Sequence, residues 1–202
     1  MSTARQKQSP NARQRGFDFN AHVRRLCDDI VFRLRQLRHI DMARVALSYS
    51  QTRNVSQYGM YASLTPMRFA GGRMHKIRGG EKWGVQRLYD GDGREMLYIL
   101  DFYLPRFLEL GFREKLVTVV HELWHVGPKF DGDIRRFAGR CQAHGSSQAG
   151  YDAQVSALVD RYLASNPPGS AYAFLRYDFR QLVARHGRVF GQKIPKPKLL
   201  KL

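Results

Sequence analysis

The 202-residue sequence predicts one α+β domain, in which a small, mostly antiparallel β-sheet packs against several helices. Segments with helical periodicity and segments typical of strands follow one another in the order helix, strands, helix, helix, strands. Hydrophobic residues make up 43% of the chain, which is sufficient for a core. Two cysteines are too few for a disulfide scaffold, and no apolar stretch approaches the ~20 residues of a membrane-spanning helix. We therefore expect no membrane partner.

The N-terminal part predicts a disordered basic arm followed by a long helix. Residues 1–16 are polar, basic and aperiodic, and they lack the apolar centre of a signal peptide, so we expect a cytoplasmic protein. Within 18–40, apolar residues recur at helical spacing beneath an arginine-rich face, and Asp18 or Asn20 is a suitable N-cap. We assign the domain core to 17–169.

The centre of the chain predicts strands separated by glycine-rich turns. Pro66 interrupts the second strand or places it at an edge of the sheet. Between two Gly-Gly pairs, the sequence RMHKIR (73–78) predicts a flexible basic loop or a hairpin. Asp90–Gly93 predicts a turn that joins the last two strands as a hairpin, and Pro105 ends the second of them. We expect the strands at 44–51, 58–69, 83–89 and 94–104.

Two further helices and a basic extension complete the predicted fold. Residues 113–125 are apolar at positions that share one helix face, and Gly127-Pro128 ends this helix. A loop leads to another helix over 151–165, which ends at a proline-rich break. Residues 170–202 are rich in aromatic and β-branched residues, so they predict a β-rich extension packed on the core, with His186-Gly187 as a turn between strands.

The charge of the chain is strongly basic, because 34 Lys and Arg stand against 17 Asp and Glu, a net charge of +17. Residues 1–53 hold 11 basic and 4 acidic side chains, and residues 170–202 hold 8 and 1. Two basic flanks thus enclose a nearly balanced centre. Such flanks favour a polyanionic partner, most simply DNA or another nucleic acid. Solubility alone is the alternative explanation.

The sequence His121-Glu122-Leu123-Trp124-His125 forms an HExxH motif inside a predicted helix. Residues four apart share a helix face, so both imidazoles can bind one metal ion. Zn²⁺ suits this pair because it binds neutral imidazole and lowers the pKa of a bound water to ~7. Glu122 follows the first ligand and can take a proton from that water, so the motif predicts a catalytic zinc site.

A catalytic zinc needs a third protein ligand, and the region after the motif offers several candidates. His144 is favoured, because imidazole is the better zinc ligand and the loop is long enough to fold back. Asp131, Asp133, Cys141 and Asp152 are the alternatives.

Other residues near the motif have candidate supporting roles. Asp131 and Asp133 can orient a ligand imidazole through its second nitrogen, or they simply form the turn FDGD. Tyr151, Arg135 and Arg140 are candidate donors to the oxyanion that forms when a peptide carbonyl is attacked. Each of these three side chains also suits an ordinary surface position.

The sequence HELWHVGPKFDGDIRRFAGRCQAHGSSQAGYD (121–152) resembles the phage-type metallopeptidases, which are related to the SprT-like zincins. The resemblance extends from the first predicted strand to the helix that follows the motif. It implies a minimal zincin-like fold with Zn²⁺ bound by His121, His125 and His144, and with Glu122 as the base. It also implies a phage-encoded protein that acts in a bacterial host.

The sequence as a whole predicts a zinc endopeptidase. Glu122 is expected to activate a zinc-bound water, and the substrate is expected to add a strand to an edge at 94–104. SprT-like proteins are associated with DNA-bound protein substrates, which agrees with the basic flanks, but no cysteine follows Cys141 to form their zinc ribbon. The alternatives are a basic nucleic-acid-binding protein with a structural or inactive zinc site, and a zinc hydrolase that acts on a non-peptide bond.

Overall fold

The computed structural model describes residues 15–52, 59–137 and 148–202, which form an α+β fold. Residues 1–14 of the predicted arm lie outside them. In the described part of the chain, no helix is long and apolar enough to cross a membrane. The helices are α1 (Phe19–Arg33), α2 (Phe112–Trp124), α3 (Gln148–Ala164), α4 (Gly169–Tyr172) and α5 (Phe179–His186). The strands are β1 (Phe17–Asp18), β2 (Val45–Gln51), β3 (Ala62–Pro66), β4 (His75–Arg78), β5 (Glu81–Val85), β6 (Tyr98–Leu104), β7 (Val189–Phe190) and β8 (Leu199–Lys201).

Helix α1 begins where the sequence predicts and ends earlier than expected. Asp18 is its N-cap, because the side chain accepts a hydrogen bond from the backbone N–H of Ala21 at 3.0 Å. The helix ends at Arg33 because Leu34 adopts an extended conformation. The following residues form short turns that still bury Leu37 in the core.

The central sheet has the strand order β2–β6–β3. Strand β6 runs parallel to β2, with Tyr98 opposite Val45, and antiparallel to β3, with Phe102 opposite Ala62. This sheet is therefore mixed, whereas the sequence predicted mostly antiparallel pairing. The parallel pair arises because the chain forms β3 and the β4–β5 hairpin before it returns beside β2 as β6.

Strand β6 is the middle strand, so the prediction that 94–104 provides a sheet edge is wrong. Apart from the buried Asp101 the strand is apolar, it is covered on both faces, and Tyr103 is its one partly exposed residue. The edge strands of the central sheet are β2 and β3, and the last residue of β3 is Pro66. This position agrees with the prediction that proline places the second strand at an edge.

A second sheet has the order β4–β5–β8 and is antiparallel throughout. The basic segment 73–78 is thus part of a hairpin, which turns at Gly79-Gly80, where both residues have positive φ. The predicted hairpin at Asp90–Gly93 is reduced to a turn with a single bridge between Tyr89 and Glu95. Strand β5 pairs with β4 and β8 instead of β6.

The C-terminal region is more helical than the sequence predicted. Residues 179–186 form α5, so His186-Gly187 ends a helix and does not join two strands. The helix starts because Asp178 and Gln181 form a reciprocal capping box, and it ends at Gly187, whose φ is 81°. Strands β7 and β8 are short, with two and three residues.

The core lies between the central sheet and the helices α1, α2 and α3. Lys115 of α2 is buried within it and donates hydrogen bonds to the carbonyls of Leu175 at 3.0 Å and Tyr177 at 2.8 Å. Burial lowers the pKa of this lysine. These two hydrogen bonds attach α2 to the C-terminal region, which also contributes Leu182 to the core.

Candidate metal centre

Helix α2 presents the HExxH motif with one face in the core and the other toward solvent. Leu116, Val119, Val120 and Leu123 are fully buried, and their spacing gives the helix its inner face. The helix starts at a capping interaction in which the Gly111 N–H donates to Glu114 at 2.7 Å. The motif therefore occupies the end of a helix that is fixed by packing along its whole length.

His121 and His125 point their imidazoles at the same small volume. Their Nε2 atoms are 3.0 Å apart, and both side chains are partly exposed. Two nitrogen ligands of one tetrahedral zinc ion lie about 3.3 Å apart, given Zn–N bonds of about 2.0–2.1 Å. The observed separation is close to that value, so this pair fits two ligand positions of a metal ion.

Tyr151 of α3 connects the two histidines on the side of His125 that faces away from this volume. Its hydroxyl lies 3.4 Å from His125 Nδ1 and 3.3 Å from the carbonyl oxygen of His121. A neutral His125 that offers its Nε2 lone pair to a metal ion carries its proton on Nδ1, which then donates to the tyrosine oxygen. The tyrosine O–H in turn donates to the carbonyl, so this arrangement favours the tautomer that metal binding requires.

Glu122 is buried against the edge of the central sheet. It is 8% exposed, and burial raises the pKa of its carboxyl to about 7, although a hydrogen bond with the backbone of Leu64 opposes the rise. Tyr103 N–H donates to Tyr61 O, and Met67 N–H donates to Leu97 O, so odd-numbered positions of β3 bond to β6.

The backbone groups of the even-numbered positions in β3, Ala62, Leu64 and Pro66, therefore point away from β6. Glu122 thus lies against the outward backbone of Leu64. This places the candidate base directly at the β3 edge of the sheet, which pairs with no further strand in the described part of the chain and is called the open edge below.

A groove of about 360 Å³ lies between the start of β3 and helix α2. Val117 and Thr118 on its wall precede His121 by four and three residues, so they share the helix face of that histidine. The groove therefore lies on the side of α2 that carries the first candidate ligand. Its lining residues are Tyr61, Leu110, Arg113, Glu114, Val117 and Thr118.

The loop after the motif is fixed by Asp133. Its carboxylate accepts hydrogen bonds from Gly71 N–H at 2.8 Å, Ile134 N–H at 2.8 Å and the Arg136 guanidinium at 2.8 and 2.9 Å. Burial raises the pKa of Asp133, but these hydrogen bonds outweigh burial and lower it overall. Asp131 accepts from the Asp133 N–H at 3.2 Å. Both aspartates thus stabilise the turn, the second of the two roles the sequence suggested for them.

Arg135, a predicted oxyanion donor, packs against the buried Trp124 at the end of the motif helix. Its guanidinium lies 3.8 Å from the centre of the Trp124 ring, and its Nε donates to the Trp124 carbonyl at 2.8 Å. This interaction holds the helix end in place. Arg140, the alternative donor from the sequence, lies outside the described residues.

The described residues place no third candidate ligand beside the two histidines. Within 15–52, 59–137 and 148–202, no three His, Cys, Asp or Glu side chains form a group that could hold a metal ion. In this structure neither Asp131 nor Asp152 completes the pair formed by the two histidines. His144 and Cys141 lie outside the described residues.

Two contributions to the site escaped sequence analysis. The first is the outward backbone of Leu64 beside Glu122, which depends on the strand order of the sheet. The second is Tyr98, whose hydroxyl donates to the Asp133 carbonyl at 2.8 Å and accepts from the Gly132 N–H at 3.1 Å. Both contacts join residues more than 30 positions apart, so no local pattern signals them.

The chain matches no family model, no curated protein and no solved structure. The interpretation of the site therefore rests on the residues and contacts described above. Kinship with the SprT-like proteins stays a prediction from the motif residues.

Proposed function

We propose that the protein is a zinc metallopeptidase with a zincin-like fold, which hydrolyses peptide bonds in protein substrates, including proteins associated with nucleic acid. One observation carries this proposal: the Nε2 atoms of His121 and His125 converge on the helix face beside a buried Glu122 at a sheet edge. Two neutral nitrogen donors and a nearby carboxylate correspond to two of the three protein ligands and to the base of a hydrolytic zinc site.

The donor set fits Zn²⁺ as far as the described residues extend. His121 and His125 would hold the ion through Nε2, and His144 is our proposed third ligand. When bound, zinc supplies a Lewis acid that polarises a carbonyl and makes water more acidic. Tyr151 keeps His125 in the required tautomer and orientation through its contact with Nδ1.

Glu122 is proposed to move the proton during hydrolysis. Its carboxylate accepts a proton from the attacking water and then delivers that proton to the leaving amine. Its position supports this role, because the described residues give this buried carboxylate no ion-pair partner. A buried carboxylate without a cation is costly, and a site with a purely structural metal has no need of it.

The open edge of β3 supports a peptide as the substrate. An extended peptide can pair with the outward backbone groups of Ala62 and with the Leu64 carbonyl, next to Glu122, which itself accepts from the Leu64 N–H. The adjoining groove offers apolar surface from Leu110 and Val117 for a substrate side chain. Both features favour a peptide over a small non-peptide amide.

The first experiment measures zinc in the purified protein by elemental analysis, with His144→Ala and His125→Ala variants in parallel. We expect about one zinc per wild-type chain and a large loss in both variants. If His144→Ala retains its zinc, the third ligand is a residue other than His144. If the wild type contains no metal even after incubation with zinc, the proposal of a zinc enzyme is excluded.

The second experiment tests hydrolysis of casein by the zinc-loaded protein. We expect Glu122→Gln to keep its zinc and lose at least 100-fold in rate, because the proton acceptor is removed. Glu109→Gln is the matched control, since Glu109 is an exposed glutamate shortly before α2. Hydrolysis by Glu122→Gln at the wild-type rate would contradict the proposed role.

A further inference from the structure

We infer that the sheet β4–β5–β8 binds single-stranded nucleic acid. This inference goes beyond the proposed peptidase activity and does not depend on it. The sheet lies apart from the helix that carries the HExxH motif, and its residues take no part in the hydrolysis proposed above.

The fold brings two distant basic segments into one sheet. Residues 73–87 contain five Lys and Arg and one acidic residue, and residues 193–202 contain four Lys and no acidic residue. More than 100 residues separate the segments in the sequence, yet Trp83 of β5 pairs with Lys201 of β8. The sheet and its immediate flanks therefore concentrate nine cationic side chains against Glu81 and the nearby Glu95, which pairs with Arg87. This excess of positive charge is the electrostatic signature of a polyanion site.

A tryptophan occupies the middle of this sheet between two lysines. Trp83 is directly opposite Lys76 of β4 on one side and Lys201 of β8 on the other. Residues directly opposite in a sheet project from the same face, so an indole is flanked by two ammonium groups. Lys201 also forms an ion pair with Glu81. The row thus combines an aromatic surface with cations placed on both sides of it.

The indole of Trp83 exposes part of its surface, which a ligand can contact. The side chain is partly exposed, and among the described residues it has no hydrogen bond and no ring contact. Lys76 lies 5.0 Å from the centre of the Phe69 ring, which adds a second aromatic residue beside the row. A large aromatic side chain that neither joins the core nor meets another ring is typical of a surface that stacks on a ligand.

These features favour single-stranded nucleic acid as the partner. An unpaired base can stack on the indole while the neighbouring phosphates meet the lysines on either side. In a duplex the bases are already stacked on one another, so the indole would contribute little. An acidic protein or an anionic membrane would use the charge but not the flat aromatic surface. Aliphatic residues such as Ile77 and Leu200 occupy the opposite face of the sheet.

Binding is tested by fluorescence anisotropy with labelled dT20 and rU20, on the Glu122→Gln protein so that hydrolysis plays no part. We expect Trp83→Leu to weaken binding about tenfold, because it removes one stacking surface. We expect the double variant Lys76→Gln and Lys201→Gln to reduce the slope of log K against log salt concentration by about 1.4. The matched control is Arg161→Gln with Arg180→Gln, two exposed cations on other elements.

Tryptophan emission gives a second readout that folding defects do not imitate. The chain has two tryptophans, and Trp124 is 6% exposed, so quenching by dT20 reports on Trp83. The inference is overturned if Trp83→Leu binds both oligonucleotides as tightly as the parent. It is equally overturned if heparin or phosphatidylserine vesicles bind the parent protein as tightly as the oligonucleotides do, and if Trp83→Leu leaves the affinity for all of these ligands unchanged. Comparison of dT20 with rU20 shows which sugar is preferred, and binding of either supports the inference.

Discussion

Replacing Tyr151 by phenylalanine removes one hydroxyl from the candidate metal centre and leaves the aromatic ring in place. The ring packs face to face with His125, with centroids 5.5 Å apart and an interplanar angle of 26°, so the packing survives the substitution. The hydroxyl contacts to His125 Nδ1 and to the His121 carbonyl are lost. The variant thus isolates the effect of orienting one ligand imidazole.

The structure sets the size of the expected effect. Loss of a partner that orients a metal ligand typically costs 10–100-fold in affinity. The two contacts of Tyr151 measure 3.3 and 3.4 Å, longer than the usual 2.7–3.2 Å range, so they are weak hydrogen bonds. We therefore expect the lower end of that range, about a tenfold weaker zinc affinity, equivalent to about 1.4 kcal/mol.

The assay is a titration of metal-free protein with zinc in competition with a chromophoric chelator. Tyr162→Phe is the matched control, because Tyr162 is also a buried tyrosine of α3 and donates to Asp29 at 2.8 Å, away from the histidines. We expect this control to lose stability and keep its zinc affinity. The proposed role of the Tyr151 hydroxyl is refuted if Tyr151→Phe binds zinc as tightly as the wild type. It is also refuted if Tyr151→Phe and Tyr162→Phe weaken zinc binding equally.

Two further predictions concern the scaffold. Hydrogen bonds from Arg87 and Arg68 lower the pKa of Glu95 to about 2, below its value of 4.5 in the unfolded chain. The carboxylate therefore stabilises the fold above about pH 4.5, and we expect about 2 kcal/mol of this to be lost as the pH falls toward 2. The free energy of unfolding, measured with urea, is expected to change less with pH across this range in Glu95→Gln than in the wild type. A Cβ at Gly127 would lie 2.6 Å from the Asp133 carbonyl oxygen, so Gly127→Ala is expected to destabilise by about 1–3 kcal/mol. Gly91→Ala, where a Cβ meets nothing within 4 Å, is expected to leave the urea midpoint unchanged.

The parts of the site that depend on local sequence could be predicted. The i, i+4 spacing of His121 and His125 and the apolar stripe beneath them define α2, and the structure brings both imidazoles together. The N-cap at Asp18 and the end of β6 before Pro105 follow from equally local rules. In these segments, propensity and tertiary packing favour the same conformation.

The parts that depend on distant contacts could not be predicted. The aromatic and β-branched residues after Gly169 indicate strands, but the capping box at Asp178 and the burial of Leu182 select a helix. Strand β6 pairs in parallel with β2 and is buried on both faces. The residue pattern within 94–104 fits a hairpin strand equally well, so the sequence does not reveal the parallel pairing.

Pro66 determines which sequence changes the β3 edge can tolerate. A proline has no N–H, and in the observed pairing Pro66 lies at a position whose backbone faces away from β6. A slip of β3 by one residue would turn Pro66 toward β6, where the ladder requires a donor, and would turn the Leu64 backbone away from Glu122. The loops between β3 and β6 can therefore gain or lose residues through evolution while the strand beside Glu122 keeps its register.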